Sequence, residues 1–174
     1  MPEINGVTTT DPYEIPPDLT ATVKEWNLSD NIRQLVDEGY TVIQDEVSVG
    51  LTDEIRNRIV EQVDKDPIAE IQFRTNMLEL NPVFSEAVTH PATLAVVDFL
   101  LGRCPQLSQM AGSVRRAGTN MLRLHSDSDW FPAPFPKWEI MATACWVCDE
   151  FTEDNGATMV IPGSHIHKCP PPLS

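Results

Sequence analysis

Basic residues are scarce in this chain: 12 lysines and arginines stand against 26 aspartates and glutamates, for a net charge of −14. Such a balance repels phosphate backbones and anionic headgroups, so neither a nucleic acid nor a membrane surface is expected as a partner. No run of 18 apolar residues occurs, and no spanning helix is expected. The opening Met1-Pro2-Glu3-Ile4-Asn5-Gly6 lacks the basic and apolar stretches of a secretory signal. Four cysteines, at 104, 145, 148 and 169, are too few and too scattered for a disulfide framework. Reduced thiols and a cytoplasmic setting are the expectation.

What is present suits one domain. The 174 residues are 41% hydrophobic, enough for a real core and against wholesale disorder. The acidity is lopsided: residues 1–90 hold 18 acids and 6 bases, whereas residues 91–174 hold 8 and 6. The first half therefore supplies a solvated surface, and the second the interior and the chemistry.

Residues 1–20 carry four prolines and three consecutive threonines and read as an irregular arm. Residues 31–38 read as a short amphipathic helix ended by Gly39, with Ile32, Leu35 and Val36 on one side. Tyr40-Thr41-Val42-Ile43 is β-branched and fits a strand. Thr52 can cap a second helix striped by Ile55, Ile59, Val60 and Val63, which Asp66-Pro67 stops. Pro91 opens a third, striped by Leu94, Val97, Leu100 and Leu101 and ended by Gly102.

Past Cys104-Pro105 the pattern turns to strands. Residues 109–114 and 120–127 look extended, parted by the turn-like Arg116-Ala117-Gly118-Thr119. Pro132, Pro134 and Pro136 make residues 131–136 a loop. Residues 140–147 form an apolar run that reads as a buried strand. Asp154-Asn155-Gly156 signals a turn before Thr158-Met159-Val160-Ile161. Helices followed by turn-linked strands make an α+β chain, whose second half looks like part of an antiparallel barrel or jelly roll.

His125-Ser126-Asp127 carries the chemistry. Side chains two apart on an extended strand point the same way, so an imidazole and a carboxylate would share one face. Those are two of the three groups that hold non-haem Fe(II) and leave positions open for oxygen. The aromatic, proline-rich loop that follows suits an apolar pocket walled by Trp130, Phe131 and Phe135. From the residues alone, an ordinary surface histidine accounts for His125 as well as a metal ligand does.

These parts together resemble the phytanoyl-CoA dioxygenase family of Fe(II)- and 2-oxoglutarate-dependent oxygenases. The likeness runs over about residues 31–168. It is carried by Leu35-Val36-Asp37-Glu38-Gly39-Tyr40-Thr41-Val42-Ile43, by the stretch from His90-Pro91 to Leu101-Gly102, and by His125-Ser126-Asp127. Cys148-Asp149-Glu150-Phe151-Thr152-Glu153-Asp154-Asn155-Gly156-Ala157-Thr158 and Val160-Ile161-Pro162-Gly163-Ser164-His165 complete it. The resemblance implies a double-stranded β-helix (jelly roll, cupin-like) with flanking helices to about residue 103 and barrel strands from about 107. It implies iron on His125 and Asp127, with 2-oxoglutarate and O₂ as co-substrates. Co-substrate contacts would fall on Arg74, Met110 and Trp146, each of which also has an ordinary reading as surface charge or core. The implied activity is hydroxylation of a small, partly apolar molecule.

One departure is large. Family members carry a later histidine, with an arginine some ten residues beyond it that pairs the far carboxylate of 2-oxoglutarate. Here the last arginine is Arg123, and only His165 and His167 follow as histidines. Residues 21–174 are accordingly expected to be the N-terminal part of one oxygenase domain, with an incomplete barrel and no activity of its own. Unpartnered strands such as 140–147 would make it poorly soluble or dimeric. Two other readings stay open. One is a catalytically dead barrel or interaction module. The other is a zinc-stabilised binding domain on Cys145, Cys148, His165 and Cys169, although Cys145 and Cys148 would face opposite ways on a strand.

Overall fold

A computed structural model describes residues 3, 4, 7, 8, 11–44, 49–65, 72–102, 104–118 and 122–172. The arm holds one short antiparallel ladder, β1 (Glu3–Ile4) with β2 (Val7–Thr8). Helices α1 (Thr20–Glu25), α2 (Ser29–Glu38), α3 (Val49–Val63), α4 (Pro82–Val88) and α5 (Pro91–Leu101) follow. Strand β3 (Gln72–Arg74) pairs antiparallel with β4 (Gly112–Val114), Arg74 opposite Gly112. Among the described residues no helix is long and apolar enough to cross a membrane.

Two hydrophobic cores result. Leu19, Val23, Leu28, Ile32 and Leu35 meet Ala92, Ala95, Val96 and Phe99, joining α1 and α2 to α5. Ile55, Met77, Val83, Phe84 and Ala87 form the second, between α3 and α4. Burying side chains of this size stabilises by roughly 1.5–3 kcal/mol each, so these cores outweigh the scattered surface ion pairs. His90 stands between the cores, edge-on to Trp26 on the first (ring centroids 4.9 Å apart) and to Trp146 on the second (5.5 Å).

Helix α2 ends as expected: Gly39 adopts a left-handed φ of 79° and its N–H returns to the Leu35 carbonyl. Two of the three terminal carbonyls left over are met from far along the chain. Glu38 O accepts from Gly163 N–H at 2.8 Å, and Val36 O from His165 Nε2 at 3.1 Å. The Pro-Gly-Ser-His turn is therefore the cap of α2. The tight approach of β4 to α3 depends on Gly112, where a Cβ would meet Ile59 at 2.8 Å.

Several sequence expectations need correction. Residues 40–43 form no strand, because α2 side chains claim their polar groups. Asn31 Nδ2 donates to Thr41 Oγ1 (3.0 Å) and to Val42 O (2.9 Å), and Thr41 Oγ1 donates to Gln34. On α5 the buried face is Ala92, Ala95, Val96 and Phe99, while Leu94 is 37% exposed. Both stripes have helical spacing, and the small alanines allow neighbouring helices the closer approach. Residues 140–147 are half-exposed to exposed, and neither they nor 158–161 join a ladder. A strand needs a partner for its backbone groups, and among the described residues none is aligned with them. The sheet is thus not closed. Residues 120–121 of the expected strand before the metal pair, Thr119 of the expected turn, and Asp66-Pro67 lie outside the described residues. The turns at Gly118 and Gly156 form as expected, each glycine with positive φ.

Candidate metal centre

A segment without regular secondary structure, residues 122–126, runs into a turn over 127–130. Polar side chains fold it. Ser126 N–H donates to Asp129 Oδ1 at 3.3 Å and Ser128 N–H to Ser126 Oγ at 3.2 Å. Asp129 N–H returns to Ser126 O and Phe131 N–H to Ser128 O. The turn brings Asp127 back toward the ring two residues before it, and His125 Nε2 lies 3.5 Å from Asp127 Oδ1. The two side chains converge by a turn, not by the alternation of a strand.

Each is held by one further bond. His125 Nδ1 lies 2.9 Å from the Arg123 carbonyl, an acceptor only, so the ring proton sits on Nδ1. In neutral His125 that leaves the Nε2 lone pair aimed at a carboxylate. Thr143 Oγ1 donates to Asp127 Oδ2 at 2.6 Å, so Oδ1 is the oxygen that faces the ring. Two lone pairs facing each other are stabilised by a cation between them. Donors 3.5 Å apart are near the roughly 3 Å that separates neighbouring ligands with bonds of about 2.1 Å at right angles. The residues present fit a divalent transition metal. Among the described residues, no third His, Cys, Asp or Glu joins them.

The pair opens into a cleft of about 440 Å³ bordered also by Leu122, Arg123, Ser126, Asp129 and Trp130. Trp130 is 68% exposed and packs edge-on against Phe131. Of the three aromatics expected as pocket wall, only Trp130 borders this cleft. Phe135 is tied elsewhere: its N–H donates to the Lys168 carbonyl at 2.7 Å, and the Lys168 ammonium pairs with Glu139.

Arg74, Met110 and Trp146 lie elsewhere. Arg74 sits exposed on β3, opposite a residue two beyond Met110. Met110 and Trp146 pack against that core, and Met110 O accepts from Met77 N–H. None of the three borders the cleft of His125 and Asp127. The candidate zinc ligands do not gather either. Cys148 packs on the second core, where burial first and Asp149 second push its thiol up to about 11. His165 is committed to α2. Sequence reasoning missed Thr143 and Arg123. Arg123 was legible as the residue two before His125, whereas nothing local marks a threonine 16 residues away as a partner of Asp127.

Comparison with known proteins bears on residues 33–169, which match the family model described as phytanoyl-CoA dioxygenase. "Dioxygenase af480" of Aspergillus fumigatus is 33% identical over 89 residues, covering 50% of this chain and 28% of that protein. "Uncharacterized protein Rv1501" of Mycobacterium tuberculosis and "Uncharacterized protein Mb1539" of Mycobacterium bovis are each 26% identical over 141 residues. Those matches cover 73% of this chain and 52% of either relative, so the chain spans about half their length or less. No solved structure matches it. With most of its length, from α2 to the turn that caps it, inside one family model, the chain belongs to the phytanoyl-CoA dioxygenase family.

Proposed function

We propose that His125 and Asp127 are two ligands of a ferrous ion in a non-haem, 2-oxoglutarate-dependent dioxygenase that hydroxylates a small, partly apolar molecule. The observation that carries this reading is the locked imidazole, with Nδ1–H on a backbone carbonyl and Nε2 facing a carboxylate oxygen 3.5 Å away. A metal-binding histidine is commonly oriented in this way by the bond its other nitrogen makes. Bound iron would supply the oxidative decarboxylation of 2-oxoglutarate to succinate and CO₂, coupled to oxygen insertion into a substrate C–H bond.

The chain's own residues have narrower tasks. The Arg123 carbonyl keeps the proton on Nδ1, and the Thr143 hydroxyl holds Oδ2 so that one carboxylate oxygen is presented. Leu122 and Trp130 supply an apolar wall beside the pair. With two protein ligands the affinity is weak and turnover needs a further ligand, so this chain by itself is expected to be inactive.

Anaerobic titration with Fe(II), or with Co(II) as its spectroscopic stand-in, tests the reading. One weak site that both His125→Ala and Asp127→Ala abolish supports it. Binding that survives both substitutions overturns it. No metal dependence at all would leave an interaction module as the better account. Zinc copurifying at one equivalent and lost on Cys148→Ser would favour the cysteine-based domain.

A further inference from the structure

The chain between Asp127 and Thr143 forms a closed loop. It leaves the cleft at Trp130, passes through the proline-rich residues 131–136 and returns at Thr143, whose hydroxyl donates to Asp127 Oδ2 at 2.6 Å. Its first turn is fixed locally, by Phe131 N–H on Ser128 O. Its middle is fixed from outside, by one residue. Lys168 accepts from Phe135 N–H at its carbonyl (2.7 Å) and pairs its ammonium with Glu139.

Two properties set Lys168 apart. Its φ of 49° lies in the left-handed region, which is unfavourable for a residue carrying a Cβ. Such a conformation persists where the surrounding contacts over-determine it, and here backbone and side chain of one residue hold the same loop. The ion pair is also sheltered. The Lys168 and Glu139 side chains are 24% and 36% exposed, against 44% and 68% for Arg56 and Asp149, so water screens the first pair less.

Lys168 is itself anchored. It directly follows one turn of 3₁₀ helix, Ser164–His167, which α2 holds through Gly163 N–H on Glu38 O and His165 Nε2 on Val36 O. A continuous path therefore joins the end of α2 to the loop, and the loop to the carboxylate of the candidate metal pair.

We propose that Lys168 is a positioning residue for the metal cleft. It staples the 131–139 loop to the cap of α2 and so fixes where Trp130 and Thr143 stand beside Asp127. The proposal rests on the reading of His125 and Asp127 as metal ligands, on which Lys168 acts through the loop.

The test uses the whole chain, with hydrogen exchange over residues 131–139 read by mass spectrometry beside Co(II) affinity read by absorption titration. Lys168→Met keeps the stem and removes the charge, and Glu139→Gln removes the partner. Each is expected to speed exchange across the loop by about 10-fold. Each should also weaken Co(II) binding by about 3–10-fold, less than the loss of a direct orienting partner. If one variant fails to fold, the other decides. Lys168→Arg should restore both readouts, and Lys168→Glu combined with Glu139→Lys should bind Co(II) better than either alone. Faster exchange with unchanged Co(II) affinity makes Lys168 a structural staple only and overturns the proposal. Unchanged exchange overturns it too and leaves the metal site standing. Co(II) binding that is absent from the unaltered chain, or that His125→Ala does not disturb, removes the metal reading itself.

Discussion

The imidazole of His165 fills the space over Gly39, where a Cβ would sit 2.6 Å from the ring Cγ. Gly39 is also in the left-handed region, which costs a residue with a side chain about 1–2 kcal/mol. Gly39→Ala is therefore expected to destabilise by at least about 2 kcal/mol, strain and clash together. Urea melts with an unchanged slope would show it. In a His165→Ala background the ring is gone and only the Cβ of residue 165, 2.9 Å away, still opposes it, so the same substitution should cost measurably less. Equal costs in the two backgrounds would contradict the contact.

Thr143→Val removes the hydroxyl that holds Asp127 Oδ2. The expected result is a loss of about 10–100-fold in Co(II) affinity, the usual effect of removing such an orienting partner. Thr143→Ser should restore most of it. The melting temperature should barely move, since residue 143 is exposed.

The Cys148 thiol, raised from 9.0 to about 11, should carry about 100-fold less thiolate at pH 8 than an ordinary cysteine. Alkylation followed by mass spectrometry should modify the exposed Cys104 and Cys169 first. Because the folded thiol holds its proton more tightly than the unfolded one, its contribution to stability is complete below pH 9. It is lost as pH rises from there through about 11. Cys148→Ala should remove that part of the alkaline decline.

Phe84 is buried at 1% exposure in the second core, whereas Arg56 and Asp149 form an exposed pair. Phe84→Ala should cost about 3–5 kcal/mol and Arg56→Ala far less, since water screens the exposed pair. Similar losses for the two would mean that surface charge contributes far more here than in comparable proteins.

Met159, Val160 and Ile161 lie exposed in sequence, Met159 at 74%, on a segment with no ladder. Such a strip favours self-association. Sedimentation at rising concentration should show dimers or larger species, and Met159→Glu with Ile161→Glu should shift the distribution toward monomer.

Local signals explain which parts of this structure were legible beforehand. The boundaries of α5 follow from Pro91 and Gly102, and the end of α2 from Gly39, because caps depend on neighbours in sequence. Helix α4 was missed although Asn81-Pro82 marks its start: Asn81 accepts from Val83 N–H and Pro82 fills the first position. The second-half strands were over-read because apolar, β-branched composition describes a segment ready to pair, while pairing itself depends on a distant partner. Within the candidate site, the closeness of His125 and Asp127 was foreseen from spacing, though a turn produces it. Thr143 was not foreseeable, since a contact across 16 residues depends on the tertiary path.

His90 touches Trp26 on one side and Trp146 on the other. Its ring is a keystone: helices α1, α2 and α5 cannot drift from the α3–α4 layer without stripping one tryptophan of its edge contact. Loosening on either side is thereby transmitted to the other, and the indole emission of Trp26 and of Trp146 should change together when the chain unfolds.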